Sequence, residues 1–410
     1  DSGNLSAYLL PLRAGLRELP LHTIVSPQLW TSLSFLRRTL EDAVPRAELK
    51  MPWSTEISFA WQNLREQMPL DVGPPHDPIS LSSTHHLLQN IALGITEFRV
   101  RSPQLEESEF AGWLRDLEDQ CAVHLADLVS LAPWLASASS VDWPLVKSML
   151  DEQEWTDLQS LLADLDRARP LQEMANSEQY LTTLDALHDV YCSDRLDNES
   201  SLHTWIKALR EMVCAAGEFS RRRILDIENL ALQCGELAEE DYDFLYDRSR
   251  RLLAIGYNVS ERRRDASFYD LLASEARLGS FVAISLGQLE QEHWFALGRL
   301  LTTANGQPAL LSWSGSMFEY LMPLLVMPTY KHTLLDQTYV AVIDRQREYG
   351  RQRGVPWGIS ESGYNMTDAK LIYQYRAFGV PGLGFKRGLV DDVVVAPYAT
   401  AMALMVAPQH

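Results

Sequence analysis

The sequence has no long apolar run. A helix that crosses a bilayer needs about 18 or more consecutive apolar residues, and the best stretch, Met317–Met327, is broken by Glu319 and Pro323. The opening residues do not form the basic-then-apolar pattern of a secretory signal. Cysteine is scarce: Cys121, Cys192, Cys214 and Cys234 stand singly, with no CxxC pair. That spacing excludes a zinc knuckle and predicts buried free thiols in a reducing compartment. Histidine ligand spacing is also missing, since His85 and His86 are adjacent and no H-E-x-x-H occurs. We therefore expect no metal and no cofactor. Positive charge is in deficit, with 36 Lys and Arg against 55 Asp and Glu, a formal net charge of −19. Such a surface repels phosphate backbones and anionic lipid, so nucleic acid and membrane surfaces are poor partners. A neutral polymer is not excluded.

What remains is an ordinary globular composition, 46% apolar and 22% charged over 410 residues. It can bury a core without disulfide or metal staples, as one large domain or two fused. Leu5, Leu9, Leu12, Leu16 and Leu19 recur at three- and four-residue spacing, one stripe of an amphipathic helix. Similar stripes follow at Leu33–Leu40, His86–Phe98, Phe110–Leu131, Trp155–Leu165, Glu178–Tyr191 and Leu202–Phe219, with a proline-rich loop at Asp71–Pro78. Strand alternation is scarce. The predicted class is all-α, with residues 1–250 as helical first part and 251–410 as a second part rich in glycine and aromatics. Helices joined by such loops suggest an α/α toroid. A two-helix solenoid competes, but its repeat of about 34 or 40 residues is not visible. Of the 11 tryptophans, most of those before residue 210 are expected in the core.

Three constellations could carry chemistry. Around Glu361, the run Gly354–Asn365 places a carboxylate among glycines, hydroxyls and aromatics. Ser360 and Ser362 can orient the acid and Trp357 can hold a sugar face; the structural alternative is a helix N-cap. Around Glu275, Leu271, Leu272 and Leu278 share its helical face, so the acid lies beside apolar neighbours, where it is costly unless paired or lining a cleft. An ion pair with Arg277 or with Arg262–Arg264 is the alternative. Glu319 interrupts the apolar run Leu311–Pro323 and could bind hydroxyls or be a satisfied core carboxylate. Gly379–Gly384, ordered G-x-x-G-x-G with no strand before it, is read as a turn. Two acids in an aromatic cleft are what glycosidic cleavage needs.

The stretches Asp1–Leu5, Tyr269–Leu278, Gln291–Phe295, Trp313–Pro323, Trp357–Asn365 and Val394–Ala399 resemble the glycoamylase-like middle domain of cyclic β-1,2-glucan synthases. The match is densest over residues 250–400. The resemblance implies an (α/α)6 barrel, truncated here at both ends, and retaining transglycosylation that cuts a linear β-1,2-glucan and closes it on itself. It implies Glu361 as nucleophile and Glu275 as acid/base. It also implies sugar subsites lined by Asp1, Asp265, Trp313, Glu319, Tyr320, Trp357, Ser360, Tyr364 and Asn365. The partners implied are β-1,2-glucan and glucosyltransferase and phosphorylase-like domains of the same polypeptide. The location implied is the cytoplasmic face of a bacterial inner membrane, reached through other parts of that polypeptide. An inverting endo-β-1,2-glucanase and a non-catalytic glucan-holding module are the competing readings.

Overall fold

The computed structural model describes residues 2–69, 79–105, 108–137, 143–194, 201–376, 379–390 and 393–410. For residues 2, 145, 149, 179, 188–194, 201–203, 364–366 and 373–376 it describes the backbone alone. Helices dominate, as the periodicity predicts, and the chain divides into two compact units, Leu16–Asn229 and Asp1–Gly15 with Leu230–His410. Helix α1 (Ser2–Glu18) starts in the second unit and ends in the first. The helical unit continues with α2 (Gln28–Lys50), α3 (Thr55–Gln67), α4 (Leu81–Arg101), α5 (Glu109–Leu131), α6 (Trp143–Met149), α7 (Glu152–Leu165), α8 (Leu171–Ala175) and α9 (Glu178–Asp194). Helix α10 (Ser201–Leu237) leads out of it.

Hydroxyls and one carboxylate set several starts. Ser54, Ser80 and Ser108 accept from the third residue of α3, α4 and α5, and Asp151 with Glu154 forms a capping box on α7. The core between α2 and α5 includes Leu33, Leu40, Leu64, Leu88, Ile91, Ile95, Phe98 and Phe110. Each such fully buried side chain contributes about 1.5–3 kcal/mol. Trp53 and Trp61 meet Phe98 and Phe110 at ring separations of 5.4–6.4 Å, so these tryptophans are core residues, as expected. Cys121 is buried, and burial raises its thiol to about 12. Cys234 is also buried and Cys214 only partly so; the side chain of Cys192 and the loop 71–78 lie outside the described residues.

The second unit has its own core, centred on Leu278, Leu310, Met317, Leu321, Val342, Ile343, Ile359, Val380 and Leu383. Short strands thread it: β1 (Tyr246–Asp247), β2 (Leu252–Ala254), β3 (Tyr257–Asn258), β4 (Arg263–Arg264) and β5 (Phe268–Tyr269). Strands β1, β2 and β5 form one antiparallel sheet, and β3 pairs with β4. Then come α11 (Arg277–Ser285), α12 (Glu292–Ala296), the hairpin β6 (Leu301–Ala304) and β7 (Gln307–Leu310), α13 (Met317–Leu321), α14 (Leu334–Arg353), the hairpin β8 (Ser362–Thr367) and β9 (Tyr373–Arg376), and α15 (Pro397–Ala403). Most of these strands are too short for alternation to register in sequence.

The leucine stripe of α1 is not its buried face. Leu5 and Leu12 are more than half exposed, while Ser6 and Ala7 are buried. Glycine decides this. A Cβ on Gly3 would stand 3.0 Å from the Cα of Gly279, and one on Gly279 3.1 Å from that of Gly3. Two helices therefore cross through their smallest residues, bringing the first turn of α1 against α11.

Candidate active site

Glu275 does not lie inside a helix, contrary to its spacing from the flanking leucines. Leu272 donates to the Gly298 carbonyl and Leu271 bridges to Gly298, so the chain arrives extended and turns at Ser274. Helix α11 begins two residues after Glu275, leaving the acid near its positive end. Ser274 Oγ accepts from Ala276 N–H and donates to Glu275 Oε2, each at 3.2 Å. Burial raises the carboxyl above its ordinary value, and the charges of Glu319 and then Glu361 raise it further. The alternative of an arginine partner is not realised. Arg277 is 1% exposed, and its guanidinium donates to the carbonyls of Ser274, Glu319 and Tyr320 and to the Tyr339 hydroxyl. Arg263 pairs with Glu261 and Arg264 with Asp247. Arg277 thereby ties the Glu275 turn to α13.

Glu319 is the opposite kind of acid. Its carboxylate accepts from the hydroxyls of Ser312, Ser314 and Ser316 and from the backbone N–H of Trp313, Ser314 and Ser316, at 2.7–3.3 Å. With Ser316 it forms the capping box of α13. The side chain is 4% exposed, so it holds its own loop and does not line an open sugar subsite. Tyr320 is likewise removed from that role: it is 0% exposed, and its hydroxyl donates to the carbonyls of Leu310 and Leu383. What the loop presents is Trp313, a residue 42% exposed. The glycines of 379–384 make this possible, because a Cβ on Gly379 or Gly384 would overlap the Ser314 backbone. They form the turn expected, and strand-like bonds from Phe385 N to Ser312 O and Lys386 N to Trp313 O follow.

Glu361 ends a loop whose backbone is gripped from several sides. Helix α14 stops at Gly354 in the left-handed conformation (φ 65°). Gln346, fully buried on α14, holds both N–H and C=O of Ile359 at 2.8 Å. Gly358, at φ 111°, lets Ala396 N–H reach its carbonyl, and Thr400 Oγ1 donates to Trp357 O. No helix follows Glu361; β8 does, which overturns the N-cap alternative. Ser360 Oγ instead accepts from Phe318 N–H in the first turn of α13. At 0% exposure Ser360 is a scaffold residue, not a group open to a sugar.

Tyr269 lies within the field of both acids. Burial raises its hydroxyl, and the charges of Glu275 and Glu361 both push it in the same direction. Sequence reasoning quoted Tyr269 within a motif but gave it no role; its position five residues after Arg264, ending β5, carries no distinctive signal. A cleft of about 350 Å³ opens over Glu275 and Tyr269, walled by Tyr242 and Phe244, which the sequence did not single out, and by Tyr257 and Asn4, which gained no role from it. Asp265 is exposed near this wall, with Oδ2 beside Gly256. Trp357 is partly buried against the core. Tyr364 and Asn365 have backbone in β8 but side chains outside the described residues, and Asp1 is outside them altogether. Among the described residues no group of three His, Cys, Asp or Glu could hold a metal, and no helix is long and apolar enough to cross a membrane.

A buried carboxyl raised above its ordinary value, with a second acid within its field, is an arrangement compatible with glycosidic cleavage. Residues 267–410, which hold both acids, match the glycoamylase family, described as glucoamylase. Glycoamylase-like domains are α/α toroids, the class the resemblance implies. The chain is also 40% identical over 275 residues to the cyclic β-(1,2)-glucan synthase NdvB of Rhizobium meliloti (strain 1021). That alignment takes in 63% of this chain and 10% of NdvB, so the chain spans about a tenth of that relative's length. Over residues 267–410 the chain is thus similar to a glycoamylase-like domain, and over a larger part of its length to a segment of an enzyme named for cyclic glucan synthesis.

Proposed function

We propose that this chain is the glucan-processing domain of a cyclic β-1,2-glucan synthase, and that it acts by retaining transglycosylation. The observation that carries the reading is the raised Glu275 carboxyl, buried and within the field of Glu361. Glu361 attacks the anomeric carbon of a glucosyl unit, and the glycosidic C–O bond breaks. The departing oxygen takes the Glu275 proton, directly or through a substrate hydroxyl. A glycosyl ester to Glu361 remains, with Glu275 ionised. The far end of the same chain then supplies a hydroxyl, which gives its proton to Glu275 and its oxygen to the anomeric carbon, releasing Glu361 and closing the ring. Exposed Trp313 offers a face for a sugar ring, and an apolar wall around Glu275 disfavours free water. Asp265, Trp357, Tyr364 and Asn365 stay in the proposed subsite set, as does Asp1.

In this reading the domain works beside glucosyltransferase and phosphorylase-like domains of one polypeptide at the cytoplasmic face of the inner membrane. The test is incubation of the full-length protein with linear β-1,2-glucan, read by mass spectrometry and reducing-end assay. Rings, each one water lighter than the matching linear chain and without new reducing ends, are expected. Glu361→Gln should keep the fold and lose turnover by on the order of 10³-fold or more. Rising reducing ends with short linear products would indicate a hydrolase. Normal glucan processing by a folded Glu361→Gln protein would leave only a glucan-holding role.

A further inference from the structure

The segment Val394–Ala399 matched the family motif but was assigned no task, and the structure puts it against the loop that delivers Glu361. Pro397 at the first position of α15 fixes where that helix begins, and Tyr398 follows it. The Tyr398 hydroxyl lies 2.7 Å from the Glu361 carbonyl oxygen and 2.9 Å from Ser360 Oγ. The Tyr398 hydroxyl donates toward both acceptors, with the shorter arm of the fork on the Glu361 carbonyl. Ser360 Oγ in turn accepts from Phe318 N–H at 3.0 Å. A chain of hydrogen bonds therefore runs from the first turn of α13 through Ser360 and Tyr398 to the backbone of Glu361. The ring of Tyr398 also stands edge-on to Phe318, at 6.4 Å between centroids, so its direction is set by packing as well as by bonding.

We propose that Tyr398 is a positioning residue for Glu361: it fixes the backbone from which the carboxylate is aimed, without itself touching the reacting atoms. This rests on the reading of Glu361 as nucleophile. The other grips on the loop act upstream, at Trp357, Gly358 and Ile359. Beyond Ser360 the chain leaves the buried core, since Glu361 and Ser362 are only partly buried. A tether on the Glu361 carbonyl limits rotation at the acid itself. Misplacement by about 1 Å in such a site can cost on the order of 10²-fold in rate.

The experiment compares Tyr398→Phe with Thr400→Val in the full-length protein acting on linear β-1,2-glucan. Thr400 grips the same loop four residues earlier, at the Trp357 carbonyl, and serves as the control for general loosening. We expect Tyr398→Phe to lower kcat by about tenfold or more with KM within about twofold, and Thr400→Val to lower kcat by less than about threefold. The melting temperatures of the two variants should be close, because the phenyl ring keeps its contact with Phe318. If the wild-type protein turns over glucan and Tyr398→Phe matches it, or falls no further than Thr400→Val, the positioning role is wrong while the nucleophile reading stands. If Tyr398→Phe raises KM in proportion to any loss of kcat/KM, the residue binds substrate and the proposal is overturned. A wild-type protein that is folded, yet leaves glucan unchanged, overturns the functional reading and this proposal with it.

Discussion

Two acidic residues stand at the starts of two helices in the same unit, and they are managed in opposite ways. Glu319, in the first turn of α13, is met by three hydroxyls and three backbone N–H groups. Glu275, just ahead of α11, has one serine hydroxyl at 3.2 Å and its own backbone N–H. A buried carboxylate with that many donors has its lone pairs satisfied and becomes part of the frame. One with few donors, facing the charge of the first, is driven toward its neutral form. Glu319 thus does two things: it shapes the loop that carries Trp313, and its charge helps to keep a proton on Glu275. Apolar sequence context marks both acids equally. The count of donors separates them.

The largest effect that would break this comparison is catalytic. Glu275→Gln removes the transferable proton but keeps the shape, so turnover of linear β-1,2-glucan should fall by about 10²–10⁴-fold. Far-ultraviolet circular dichroism and the melting temperature at neutral pH should show no loss of stability. A variant that turned over glucan at the wild-type rate would remove Glu275 from the chemistry. Glu319→Gln should fail differently. An amide cannot accept from all the donors now met by the carboxylate. Each buried donor left without a partner costs about 1–3 kcal/mol, which amounts to about 2–9 kcal/mol for two or three of them. In a domain of this size even the lower end lowers the melting temperature by about 4–8 °C. A Glu319→Gln protein of native stability and impaired activity would make Glu319 a functional acid after all.

This contrast also shows what the sequence could reveal. The helices were legible because their stripes run for many turns, whereas local chemistry left Glu275 and Glu361 with structural alternatives and only the family resemblance paired them. The misjudged stripe on α1 shows the limit. Five leucines define a face by themselves, but Gly3 and Gly279 decide which face can approach another helix, and glycine contributes nothing to an apolar pattern. The start of α11 was placed too early because Leu271, Leu272 and Leu278 fit helical spacing as well as they fit an extended entry and a turn. Ser360 and Tyr320 looked available to a ligand because polarity in a loop is visible in sequence, whereas partners more than 40 residues away, such as Phe318 for Ser360 and Leu383 for Tyr320, are not. The hairpin β6–β7 carried a usable signal that passed unnoticed: Asn305-Gly306, both at positive φ, is the favoured two-residue turn. Tyr398 was visible only as part of a motif, and the reason for the motif is a carbonyl 37 residues earlier.

The smallest effect is the most discriminating, because it separates the two acids by protonation alone. The folded-state value of Glu275 lies above its unfolded one, through burial first and the Glu319 charge second. Over the interval between the two values the native state holds more protons than the unfolded state, so stability falls as pH rises. The contribution is whole below the ordinary carboxyl range, about pH 4, and is lost as pH climbs through the raised value. Glu275→Gln abolishes that titration. Its melting temperature relative to wild type should therefore rise from acid toward neutral pH, by on the order of a few degrees. Glu319→Gln has no such reason to recover at neutral pH, since the donors it fails to satisfy are there throughout. Melting curves of the three proteins from pH 4 to pH 8 measure this directly. If Glu275→Gln melts below wild type at neutral pH, by a margin that does not shrink on acidification, Glu275 is a frame residue of the Glu319 kind. The proton that the proposed mechanism requires would then have to come from another group.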